Sequence, residues 1–93
     1  MYRVAVSCRG LSEAEGSAAP PDILAEFAQR PWHHSLSCTW ERGVLLLTGE
    51  NDFDSTGEAM LDEFWDSVHA YVNYGGAVQF RVESVVEVSP NAP

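Results

Sequence analysis

His34-Ser35-Leu36-Ser37-Cys38-Thr39-Trp40-Glu41-Arg42-Gly43-Val44-Leu45-Leu46-Leu47-Thr48 alternates, turns and runs apolar. His34, Leu36, Cys38 and Trp40 face one way, and Ser35, Ser37 and Thr39 the other, as in a half-buried strand. Glu41-Arg42-Gly43 reads as a three-residue hairpin loop with Gly in the left-handed position. With that loop Trp40 pairs with Val44 and Cys38 with Leu46. Leu45 and Leu47 then lie on the opposite face. A strand apolar on both sides belongs in the middle of its sheet.

Working outward, Tyr2, Val4, Val6 and Cys8 alternate with Arg3, Ala5 and Ser7, which predicts a first strand. Residues 10–19 show no periodicity and read as a loop. Pro20-Pro21-Asp22 opens a short helix, because Pro fits a first turn and Asp suits its positive end. Ile23, Leu24, Phe27 and Ala28 form its apolar stripe, and Arg30-Pro31 ends it.

On the other side, Ser55 with Glu58 fits a capping box. Leu61, Phe64, Trp65, Val68, Tyr71 and Val72 recur at helical spacing until Gly75-Gly76. Residues 77–88 form a last strand. Val78, Phe80, Val82, Val86 and Val88 share one face, and Gln79, Arg81, Glu83, Val85 and Glu87 the other. Trp40, Phe64 and Phe80 are the expected aromatic core, with Trp65 at its boundary. Residues 90–93 are an expected disordered tail, leaving one domain over 1–89.

The order strand-helix-strand-strand-helix-strand, with right-handed crossovers, predicts an α+β, ferredoxin-like βαββαβ sandwich: a four-stranded antiparallel sheet with two helices on one face. The first and third strands are then central. Cys8 and Cys38 lie two strands apart, roughly 10 Å, which is beyond disulfide reach. Both fall on the expected core face, where free Cys acts as a small hydrophobe. The open face would show Ala5, Leu45, Leu47 and Val85 at its centre, a patch suited to a homodimer.

The acids are unevenly spread. Glu50, Asp52, Asp54, Glu58, Asp62, Glu63 and Asp66 place seven of the 14 acids within 17 residues, with no Lys or Arg among them. Glu58, Asp62 and Asp66 recur every fourth residue on one helix face. Three readings follow. In the first, the ridge, with Trp65 as an anchor, binds a protein partner that has a basic surface. An inhibitor or immunity-type protein is the sharpest version. In the second, Asp52, Asp54, Thr56 and Glu63 have the spacing of a calcium loop over 52–63, with Gly57 at the turn. That loop would require irregular backbone to about residue 61, whereas a capping box requires helix from about Thr56. In the third, Asp54 or Ser55 caps the helix and the remaining carboxylates are solvated.

Other chemistry finds little support. His33 and His34 are adjacent in a strand and point apart. His69, three residues after Asp66, reads as half of a surface pair. No ligand spacing supports zinc, and no cofactor motif, phosphate loop or nucleophile motif occurs. Binding is therefore expected over catalysis, with a ligand-sensing or enzymatic domain that uses the open sheet face as the alternative. The net charge of −9 on 93 residues, with only five basic residues, all Arg, argues against direct nucleic-acid binding. No apolar run approaches the roughly 20 residues of a membrane span. Two cysteines without a disulfide framework point to a cytoplasmic protein.

Overall fold

The computed structural model describes residues 1–88. The expected tail at 90–93, and Ser89 of the expected domain, lie outside the described residues. The elements are β1 (Tyr2–Arg9), α1 (Glu13–Phe27), β2 (His34–Glu41), β3 (Val44–Asn51), α2 (Glu58–Tyr71) and β4 (Gln79–Glu87). The sheet is antiparallel in the order β2-β3-β1-β4, and both helices pack on it. This is the ferredoxin-like βαββαβ topology, with β1 and β3 central. Cys8 and Cys38 are free and buried, with β3 running between their strands.

The central hairpin differs from expectation by one residue. Glu41 pairs with Val44, so the turn is Arg42-Gly43 alone. Both turn residues take left-handed φ, 52° and 79°, as a two-residue I′-type turn requires. Trp40 therefore pairs with Leu45 and Cys38 with Leu47. Side chains alternate with a period of two, so this single offset turns the whole of β3 over. Leu45 and Leu47 are 0% exposed in the core with Val4, Val6 and Cys8. Val44, Leu46 and Thr48 face outward, half-buried.

A second offset lies in β4. Val82 pairs with Val6 and Ser84 with Ala5, which leaves Glu83 as a bulge. Beyond it the strand's faces exchange. Val85 joins Phe80 and Val82 against the core, while Val86 is turned to solvent. Of the expected open-face patch Ala5, Leu45, Leu47 and Val85, only Ala5 remains on that face. A similar irregularity precedes Ser37 in β2, where Ser35 has a φ of 53°. His34 there pairs with Glu50 and shares its outer face, rather than that of Leu36.

Helix α1 starts seven residues before the expected Pro20. Ser12 accepts from the Glu15 N–H and the Glu15 carboxylate accepts from the Ser12 N–H, a complete capping box. Pro20 and Pro21 lie inside the helix and remove the N–H donors that would reach back one turn. The helix continues because its inner face is held on both sides of them. Ala19, Ile23 and Phe27 are buried, and the Glu13 carboxylate accepts from the Trp40 indole N–H at 2.9 Å.

Candidate docking surface on the helical layer

The start of α2 sorts the acidic stretch. Gly57, at a φ of 82°, is the N-cap and offers no side chain. The cap comes from Asp54, which is buried. One carboxylate oxygen accepts from Gly57 N–H (3.0 Å) and Ala59 N–H (3.3 Å), and the other from Met60 N–H (2.9 Å). Asn51 holds the preceding turn by accepting from Phe53 N–H and Asp54 N–H. Ser55 is exposed and does not form the expected capping box. A carboxylate at the positive end of a helix satisfies donors that no intrahelical partner reaches.

The calcium loop expected over 52–63 is not formed. Helix begins at Glu58, Asp54 is turned onto backbone amides, and Thr56 Oγ1 accepts from Glu58 N–H at 3.3 Å. Glu63 lies in the second turn against Arg30 (2.7 Å) and His33 (3.1 Å). Among the described residues no three His, Cys, Asp or Glu side chains are grouped to hold a metal ion.

The expected ridge therefore divides. Glu50 projects from the outer sheet face and pairs with Arg3 at 2.9 Å. Asp54 is internal and Glu63 is tied to Arg30. Asp52, Glu58, Asp62 and Asp66 remain in solvent, and Trp65 is 48% exposed beside them. Trp65 does not stand alone. Its ring lies 3.8 Å from that of His69, whose Nδ1–H donates to the Trp65 carbonyl at 2.8 Å and whose Nε2 accepts from Tyr74 O–H. The expected pairing of His69 with Asp66 gives way to this aromatic stack.

His33 and His34 part as expected, one buried and one exposed. The His33 ring sits among Phe27, Trp32 and Phe53. Both thiols are inert in character: burial pushes Cys8 up to about 11 and Cys38 up to about 12 from an ordinary 9.0.

A larger asymmetry emerges when every charge is assigned to its layer. The strands and the Arg42-Gly43 turn carry Arg3, Arg9, Arg42 and Arg81 against Glu41, Glu50, Glu83 and Glu87, a neutral set. On the outer sheet face Glu83 accepts from Ser7 O–H (2.5 Å) and from Arg9 (2.6 Å). The Ser7 hydroxyl foremost, then Arg9, hold its carboxyl below the usual range. The helices and their connecting loops carry the other ten acids and a single base, Arg30. Arg30 is itself enclosed by Glu26 (3.1 Å) and Glu63. The entire net charge of −9 thus belongs to one layer of the molecule.

No known protein family, curated protein or solved structure matches the chain. Among the described residues no helix is long and apolar enough to cross a membrane. The sequence stretch 50–66 pointed to the acidic helix. That stretch omits Asp22 and Glu26 of the expected first helix, and Glu13 and Glu15, which lie in residues 10–19, where no periodicity marks a helix. The capping-box spacing of Ser12 and Glu15 is the signal that places Glu13 and Glu15 on the helix.

Proposed function

We propose that this chain is a non-enzymatic protein-binding module that docks its helical layer onto a basic partner. The observation that carries the reading is the division of charge between layers: a neutral sheet backs ten acids and one enclosed arginine. Such a field accelerates encounter with a cationic surface and fixes its orientation. Like charges on a helix face cost stability, and the ridge Glu58, Asp62 and Asp66 keeps them without basic neighbours of its own. Trp65 supplies a broad half-exposed ring at the ridge margin, already held by His69. A ring fixed before binding loses little entropy in the complex. An inhibitor or immunity-type protein that covers a phosphate-binding surface is the sharpest form of this role. The two buried free thiols suit a reducing cytoplasm.

The test is a charge reversal on exposed positions. A basic protein recovered with the wild-type chain should bind with an association rate that falls steeply as salt rises. Asp62→Lys with Asp66→Lys should weaken it by at least about tenfold, with thermal unfolding nearly unchanged. Retention of the same partners at the same affinity would defeat the reading.

A further inference from the structure

Helix α1 and the end of α2 enclose a groove of about 260 Å³. Its apolar lining is Ala19 and Val72, which are buried, with the exposed Ala14 and Ala18 beside them. Its charged lining residues are of one sign, Glu15 and Asp22, and Tyr71 and Asn73 complete the lining. Glu15 is fixed in place, since it accepts from Ser12 N–H at the start of α1 and from Gly75 N–H beyond α2. These backbone donors, Ser12 foremost, hold its carboxyl below the ordinary range, so it remains ionised. Ion pairs of the arginines use Glu26, Glu50, Glu63 and Glu83, which leaves Asp22 and Glu15 outside every ion pair among the described residues.

Tyr71 is held at the edge of this groove by a residue outside it. Its hydroxyl donates to Glu26 at 3.0 Å. That bond first, then the charge of Glu26, burial and the charge of Asp22, raise its pKa. The phenol thus keeps its proton and its ring stays neutral, half-exposed at the groove's edge.

We propose that this groove receives an arginine side chain of the protein partner. The methylenes would lie along the alanines, the guanidinium would donate to Asp22, and its plane would stack on the Tyr71 ring, with Glu15 adding its charge from the other end of the groove. Three properties of the groove select that occupant. Its volume suits one long side chain rather than a folded peptide. Its lining of alanines is apolar where the stem of a long cation would run. Its rim combines a carboxylate outside every ion pair among the described residues, Asp22, with an aromatic ring, the pair of groups that favours a planar, delocalised cation over an ammonium. The inference rests on the reading of the helical layer as a docking surface and adds a specific pocket to it.

The experiment needs no partner. Nα-acetyl-arginine amide is titrated into the full chain and followed by backbone amide NMR, with the isosteric neutral Nα-acetyl-citrulline amide as control. Saturable shifts should cluster at Ala14, Ala18, Asp22, Tyr71 and Asn73, in the millimolar range, and be absent with citrulline. Asp22→Asn and, separately, Ala18→Leu, an exposed helical position, should each weaken binding by at least about fivefold while the remaining spectrum stays folded. Shifts that follow Glu58, Asp62 and Asp66 instead, equal shifts with citrulline, or none at all would overturn the pocket. Those results would leave the Asp62 and Asp66 charge reversal unaffected as a test of the docking surface, and loss of that surface would likewise not alter the titration.

Discussion

Gly16 of α1 lies directly against the indole of Trp40 in β2: a Cβ at residue 16 would stand 2.3 Å from two ring carbons and 2.4 Å from a third. The contact fixes how closely the first helix approaches the sheet edge, and Glu13, one turn earlier, anchors the same indole through its N–H. Gly is the only residue that permits this approach.

Gly16→Ala should therefore destabilise the fold by about 1–3 kcal/mol, although Ala is the better helix former by about 1 kcal/mol. Urea denaturation followed by Trp fluorescence measures it. In a Trp40→Leu background the same substitution should become neutral or stabilising, since only helix propensity then remains.

The two-residue hairpin turn places Leu47 inside and Leu46 outside. Leu47→Ala should cost about 2–5 kcal/mol, as for other fully buried leucines. Leu46→Ala should cost less than about 1 kcal/mol, as at a partly exposed position. A three-residue loop would reverse the order, so chemical denaturation of the pair tests the register of the central strand.

Asp54 receives three N–H donors at the start of α2. Asp54→Ala leaves them without a carboxylate and should cost about 2 kcal/mol. Ser55→Ala should change stability by less than about 0.5 kcal/mol. Thermal unfolding of both variants separates the observed cap from the one that the Ser55-Glu58 spacing suggests.

Cys8 and Cys38 have folded pKa values of about 11 and about 12, above the ordinary 9.0. Their contribution is fully present below about pH 9 and is lost as pH rises through that window, because the unfolded chain releases its thiol protons first. Unfolding midpoints at pH 8 and pH 10.5 should fall more for the wild type than for Cys8→Ala with Cys38→Ala. An equal fall would show that burial does not govern these thiols. At pH 8 a thiol reagent should label both residues only as fast as the fold opens.

Much of the candidate surface was legible as spacing. Glu58, Asp62, Asp66 and Trp65 are a local pattern, and a helix converts spacing into a shared face whatever surrounds it. Glu50, Asp54 and Glu63 were not separable from them in the sequence. Their partners Arg3, Arg30 and the α2 amides are brought to them only by sheet pairing, helix docking and the turn at Gly57. The groove was invisible for the same reason, since Asp22 and Tyr71 come together only when the helices pack.

The amino-acid sequence by itself determined the order of strands and helices, the antiparallel ferredoxin-like arrangement and the surplus of acid, because periodicity and composition are properties of neighbouring residues. Tertiary structure alone decided which side of β3 is inside and where β4 changes face. Each of these turns on a single-residue offset at a turn or a bulge, and local periodicity is nearly indifferent to such an offset. Closing the core over Leu45, Leu47 and Val85 is not, because a slip of one residue would turn them to water.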